Sequence, residues 1–472
     1  MKKYPISILF IFLPMLLFGQ DLKPEIQELV NEIIQVNELH HKHVGRAAIT
    51  TNQYKTFIKL GDQANISELI SLLNHRNSVV KGYASWALAD RKYLALDKIL
   101  VQFLDSKEKV KSFNGCLLSK DELSIEFYFR VLYQSHENQI SKNDSLFFAD
   151  QVKKLDSLLL YYSGETWLVD IALEHNNANP KTYNRVRELA LQKENSQAII
   201  ELAKYRKVDD IESIKKLGEK SFAAISYFPN KGFWPFLEKY LPTHDTLEFY
   251  HAMASFKDSS ATLDLKNIYN RLDRQQKIEQ IINLDEALTK YYCNNYQDII
   301  FDIWEKHKVI DYAIADRLIK DNPEKAVTSF VKGLLNNNGL NYYFTAVDSN
   351  YEMKDSTLSK MLNLIAVYKP ESLSEICKVN VKKTDFFELS AFLKMIKSKN
   401  MQSLTDLLIE KLRIEKSPYD IFQLTETLFY FKNTQINLQV IEILKSNKTK
   451  WDDDGNWANG FQKLFKEYGI KL

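Results

Sequence analysis

The sequence predicts an all-α fold, an α-solenoid of antiparallel helix pairs, and three observations lead there. Helix breakers are scarce: 472 residues contain 13 Gly and 10 Pro, well under half of the roughly 7 and 5 per cent usual in proteins. Apolar residues recur at helical spacing in segment after segment. The chain also matches itself at a period that suits a helix–turn–helix unit. A hydrophobic content of 45% supports a folded chain. Its length exceeds what one ordinary core serves, which leaves two or three domains or one extended array.

The first twenty residues, MKKYPISILFIFLPMLLFGQ, read as a targeting segment. Lys2 and Lys3 supply the positive start, and Ile6 to Phe18 form an apolar run too short to span a bilayer comfortably. That pattern fits a secretory signal peptide over residues 1–20, cleaved after Gly19 or Gln20. Gln20 stands where a lipoprotein would need cysteine, so no lipid anchor is expected. No later stretch is long and apolar enough to cross a membrane. The expected location is exported, either periplasmic or secreted. After the signal, residues 21–135 read as N-terminal repeats, 136–260 as diverged helical repeats, and 261–472 as C-terminal helical hairpins. The early histidines of LHHKH place His40 and His43 on one face if this stretch is helical. With no acidic or cysteine partner nearby, adventitious metal contact is the simplest account.

Residues 77–90, NSVVKGYASWALAD, put Val80, Tyr83, Ala84, Ala87 and Leu88 on one helical stripe. Trp86 lies off it, on a flank shared with Gly82 and Ala89. A shift of 30 residues places Ile66, Leu69, Ile70 and Leu73 on Leu96, Ile99, Leu100 and Phe103. It also places Val80, Tyr83 and Leu88 on Val110, Phe113 and Leu118, so residues 110–118 are expected to form a second helix like 80–88. Each helix is about three turns long and marginal in isolation, so stability must come from stacking. Under the same shift Trp86 falls on Cys116, a residue type that is usually buried. Trp86 is therefore expected in an inter-repeat contact.

These units resemble the short, HEAT-like helical repeat. The residues carrying the likeness are KLGDQANISELISLLNHRNSVVKGYASWALAD and RKYLALDKILVQFLDSKEKVKSFNGCLL. Leu60, Gly61 and Asp62 match the first turn, Asp105 the loop, and Val80-Lys81 and Val110-Lys111 stand for the usual Val-Arg. Asn114 replaces a customary alanine. The likeness spans about residues 45–120 and implies a HEAT-like or ARM-like superhelix used as a binding surface.

Further along, SIEFYFRVLYQ carries its rings at core spacing. YYSGETWLVDIALEH sets Glu165 and Asp170 near Trp167, and paired carboxylates beside an aromatic suit glycoside chemistry. PNKGFWPFLEKYLP, residues 229–242, gathers Phe233, Trp234 and Phe236 in a proline-bounded turn, the best candidate for a peptide- or glycan-binding surface. HDTLEFYH spaces His244, Glu248 and His251 for one helix face, with donor types suited to zinc. No fourth ligand is indicated, and a solvated face accounts for the cluster. At the C-terminal end, a shift of 35 places Phe386, Phe387, Leu389 and Leu393 on Ile421, Phe422, Leu424 and Leu428. WDDDGNW lacks carboxylates at two positions an EF-hand requires and reads as a turn before a final helix.

Composition narrows function mainly by exclusion. A net charge of +2, from 63 basic and 61 acidic residues, offers no field to collect nucleic acid. Cys116, Cys293 and Cys377 are odd in number and lack metal spacing, so each is expected to be a small buried side chain. No nucleophile elbow, phosphate loop or HExxH occurs, and no cofactor is expected. The expectation is an exported scaffold or adaptor that binds a protein or peptide partner on its concave face. An all-helical carbohydrate-active enzyme of the (α/α) type is the alternative.

Overall fold

The computed structural model describes residues 22–136, 141–336, 343–345, 351–451 and 455–470, which are predominantly helical. The expected signal segment lies outside them, as do residues 452–454 of WDDDGNW. The chain divides into two compact units, Met1–Tyr205 and Arg206–Leu472.

The first unit opens with α1 (Pro24–Val36), β1 (Leu39–Val44), α2 (Asn52–Gln63), α3 (Ile66–Leu72), α4 (Ser78–Asp90) and α5 (Leu96–Ser106). Local chemistry sets these boundaries. Pro24 starts α1 and Asn37, in the left-handed conformation, ends it. Thr51 caps α2 through Tyr54 N–H. Asn65 and Glu68 form a reciprocal capping box on α3. Asn77 accepts from the Val79 and Val80 amides at the start of α4. Leu60, Gly61 and Asp62 continue α2 rather than making a separate turn.

Residues 109–122 depart from the expected second helix. They form a hairpin of β2 (Lys109–Gly115) and β3 (Leu117–Glu122), with β1 parallel to β2 in a sheet of order β1-β2-β3. Lys109 and Lys111 are exposed while Val110 and Ser112 are buried, a period of two. Gly115 has φ +54°, the left-handed geometry that a two-residue hairpin turn demands at its first position. Cys116 stands exposed at the tip instead of being buried. β1 takes His40 and His43 out of any helix. His40 Nδ1 meets Thr51 Oγ1 at 3.0 Å, and His43 Nδ1 meets the Ala48 carbonyl at 3.2 Å.

Trp86 is 1% exposed, so it packs in the core as expected, though not by the expected equivalence with Cys116. α4 is buried around nearly its whole circumference, because α1, α2, α3 and α6 (Leu123–His136) pack against it together with β1 and β2. Such a helix has no solvent flank. Gly82 makes room for this. A Cβ there would stand 2.8 Å from Leu39 Cδ1 of β1 and 3.4 Å from Leu123 Cδ2 of α6. The unit closes with α7 (Lys142–Tyr161), α8 (Leu168–Asn176), α9 (Tyr183–Leu191) and α10 (Ser196–Lys204), α7 packing on α8 and α10 on both α8 and α9.

The second unit starts with short elements, α11 (Ile211–Lys215), α12 (Phe222–Ile225), α13 (Trp234–Glu238) and α14 (Leu247–Ala254). Longer helices follow: α15 (Ser259–Gln275), α16 (Ile278–Lys290), α17 (Gln297–His307), α18 (Tyr312–Asp321), α19 (Pro323–Leu335) and α20 (Tyr351–Tyr368). A two-stranded parallel ribbon pairs β4 (Val309–Asp311) with β5 (Tyr343–Thr345). Then come α21 (Leu373–Val381), α22 (Phe386–Ser398), α23 (Thr405–Ile414), α24 (Pro418–Tyr430), α25 (Thr434–Ser446), α26 (Lys448–Trp451) and α27 (Gly455–Glu467). Alternate helices touch: α12 on α14, α14 on α16, α17 on α19, α20 on α22, and α22 on α24. The segments matched by the 35-residue shift are α22 and α24, each followed by a further helix. Gly333 on α19 admits the indole of Trp304 on α17, which donates to the Ser329 carbonyl at 3.1 Å.

Candidate functional site

The proline-bounded turn at 229–242 is built around a one-residue difference in orientation. Asn230 accepts from Gly232 N–H and starts a single 3-10 turn, Lys231–Phe233, that runs into α13 with Pro235 in its first turn. Phe233 is fully buried, perpendicular to Phe228 with centroids 6.0 Å apart. Phe236, one helical step further, packs on Phe222 and Tyr240 at 6.1 and 5.1 Å. Those two rings hold the turn down and present no face to a ligand. Trp234 lies between them, half-buried, and its ring meets Phe256 edge to face at 5.0 Å. Its indole N–H donates to Glu238 Oε1 at 3.1 Å.

Trp234 and Phe256 wall a groove of about 280 Å³ completed by Lys231, Pro235, Asp258 and Ser260. The Phe256–Asp258 side is rigidly placed. Asp258 caps α15 through Ala261 N–H at 2.9 Å. Tyr296 donates its hydroxyl to the Ala254 carbonyl at 2.8 Å and accepts from Lys257 N–H at 3.2 Å. Phe256 and Asp258 went unread in the sequence; the cap pattern KDSS after an aromatic was their only local signal. A perpendicular aromatic pair beside a proline, with one cation and one carboxylate at the rim, can hold an apolar ring or an extended peptide.

The triad of His244, Glu248 and His251 does not form one helical face. His244 sits in the turn before Thr246, the cap of α14, with Nε2 on Glu219 Oε1 at 2.8 Å and Nδ1 on Thr243 Oγ1 at 3.0 Å. Glu248 is exposed in the first turn of α14. His251 points inward toward the Tyr291 ring, and burial, then the nearby Lys290 charge, push its imidazole down to about 4. Among the described residues, the one group of three possible ligand atoms within 4.8 Å of one another is Asp385, Glu415 and Asp420. A cation is already there: Lys411 Nζ lies 3.0 Å from Asp385 and 3.5 Å from Glu415. Asp420, wholly buried, accepts from Phe386 N–H at 2.9 Å, and desolvation, then Glu415, push its carboxyl up to about 6.

In the first unit, Glu165 is exposed, while Asp170 accepts from Asn195 Nδ2 at 2.7 Å. Trp167 leans on Phe129 at 5.7 Å. One linked set was not anticipated. Tyr128 donates to buried Asp156 at 2.6 Å, and the other Asp156 oxygen meets His175 Nδ1 at 3.1 Å. It ties α6, α7 and α8 together. No protein-family model, curated protein or solved structure matches the chain. No helix among the described residues is long and apolar enough to cross a membrane.

Proposed function

We propose that the chain is an exported α-solenoid of HEAT-like helix pairs that serves as a scaffold or adaptor for a protein or peptide partner. The observation that carries this reading is the Trp234–Phe256 groove. It keeps a large ring at the surface of a turn whose other two aromatics are fully used in packing. The alternate-helix contacts of the second unit support a stacked array, in which each helix pair buries its apolar faces against its neighbours. The targeting pattern of residues 1–20 supports export. The Trp234–Phe256 groove carries a single carboxylate, Asp258. Glycoside hydrolysis asks for two facing carboxylates, so binding is favoured over the carbohydrate-active alternative.

The test is comparative capture from a native cell envelope with wild-type and Trp234→Ala chains of equal helical content. A partner retained by the wild type and reduced at least about tenfold by the variant, the loss expected of an interface hot spot, supports the reading. Equal retention by both removes Trp234 as the contact. Turnover of a polysaccharide by the purified chain would overturn the binding assignment.

A further inference from the structure

A second groove of the same unit, beside α21 and α23, has a different chemistry. Leu407, Glu410, Lys411 and Ile414 follow i, i+3, i+4, i+7 spacing and form one stripe along α23. With Arg413 and with Lys382, which closes the C-terminal end of α21, they line an open groove of about 400 Å³. That volume lies within the roughly 300–1,000 Å³ of small-ligand sites. The opposite face of α23 is anchored: Leu408, Ile409 and Leu412 are buried. The groove therefore sits on a fixed helix.

Its floor is aliphatic and its rim is charged. Ile414 is 74% exposed although it is fully apolar. Lys411 contributes its stem, since its ammonium is engaged by Asp385 and Glu415. Lys382, Arg413 and Glu410 are exposed, and among the described residues none of the three forms an ion pair. Two free cations and one free carboxylate thus border a strip of Leu and Ile carbon. A ligand complementary to all of it carries an aliphatic group, a carboxylate, and an N–H donor near that carboxylate.

The geometry points to a peptide-chain terminus whose last residue is aliphatic as the occupant. Its side chain lies on Leu407 and Ile414, and its α-carboxylate is held by Arg413 and Lys382. Guanidinium and carboxylate match as a bidentate pair. Glu410 accepts the terminal amide N–H. A fatty acid satisfies the cations and the aliphatic strip but leaves Glu410 facing a second carboxylate with nothing to accept. That difference favours the peptide. The site is separate from the Trp234 groove and does not depend on it.

The probe is a labelled hexapeptide, acetyl-Ser-Gly-Ser-Ala-Val-Leu with a free carboxylate, titrated into the full chain by fluorescence anisotropy. Its C-terminal amide and decanoate serve as competitors. The expected result is saturable binding of the free acid, weakened at least about tenfold by amidation or by Arg413→Gln, the scale of a lost charge-assisted contact. Raised salt weakens it further. Trp234→Ala leaves it unchanged. Arg413 is exposed, so the variant folds, and matched circular dichroism verifies that. The proposal is overturned by absence of binding at millimolar peptide, by equal binding of the amide, by an Arg413→Gln chain that binds normally, by decanoate displacing the peptide more strongly than unlabelled free acid, or by loss of binding in Trp234→Ala.

Discussion

Replacing Trp86 with alanine removes the side chain on which the centre of the first unit converges. The ring is 1% exposed, with His41, Phe57 and Tyr83 centroids at 4.8, 5.7 and 5.7 Å. The Arg130 guanidinium lies 5.3 Å above it, and the indole N–H donates to the Glu126 carbonyl at 3.1 Å. Truncating a buried large aromatic costs about 3–5 kcal/mol through lost transfer energy and the cavity left behind. Loss of the indole hydrogen bond leaves a buried carbonyl short of a donor, about 1 kcal/mol of the total. Trp86→Phe separates the two contributions. It keeps most of the ring, so the expected loss falls to about 1–2 kcal/mol. The assay is urea unfolding followed by circular dichroism, with hydrogen exchange read separately for peptides from α4 and α6. Two compact units need not melt together, so exchange isolates the affected one. Protection should fall in α4, α6 and β1 while peptides beyond residue 205 keep theirs. A loss below about 1 kcal/mol, the range of ordinary surface substitutions, refutes the account of Trp86 as a packing centre.

Gly333→Ala should destabilise the second unit by about 2 kcal/mol, because the new Cβ would lie within bonding-forbidden range of Trp304 Nε1 and force the indole off Ser329; a thermal melt equal to wild type contradicts this. Asp420, raised from 3.8 to about 6, binds a proton in the folded state that the unfolded state has released between those values. Its contribution to stability therefore falls as pH rises from about 4 to 6, by roughly 1–3 kcal/mol, and Asp420→Asn should abolish that slope. His251 has the opposite sign. Lowered from 6.5 to about 4, it takes up a proton more readily when unfolded, so stability is lost as pH falls from 6.5 towards 4. His251→Gln should flatten that acid limb, and an unchanged limb would contradict burial of a neutral imidazole. Zinc at a saturated site, at a hundred times its dissociation constant, would add roughly 3 kcal/mol. With His244 and His251 held by different neighbours, zinc and chelator should leave Tm unaltered, and a rise of several degrees with zinc would show that the three side chains can converge.

Helical character was legible because it rests on short-range properties. Sparse Gly and Pro, caps such as Asn65-x-x-Glu68 and Asn77, and repeated i, i+3, i+4 apolar spacing act within a few residues and need no tertiary partner. The candidate site was half legible for the same reason. The turn holding Phe233, Trp234 and Phe236 announces itself through its prolines, but which ring faces outward depends on the angle at which α13 meets its neighbours. Phe256, which completes the groove, comes from a different turn and reaches Trp234 only through the packing of the second unit.

The hairpin at 109–122 shows where local pattern stops deciding. Val110, Phe113 and Leu118 fit a helix as a shifted copy of the unit before them, yet the same stretch alternates Lys-Val-Lys-Ser and carries Asn-Gly at its centre. Both periods are present, and β1 selects between them. A strand from residues 39–44 supplies parallel hydrogen bonds to β2 that a helix there could not accept. Sequence alone determined that this chain is mainly helical, where many of those helices begin, and that its acidic and basic residues nearly balance, at a net charge of +2. Tertiary structure decided what faces what: Trp86 inward against β1, α2 and α6, Cys116 outward at a hairpin tip, and His244 and His251 apart. Those outcomes depend on contacts between residues tens of positions apart, whose free energy no local window contains.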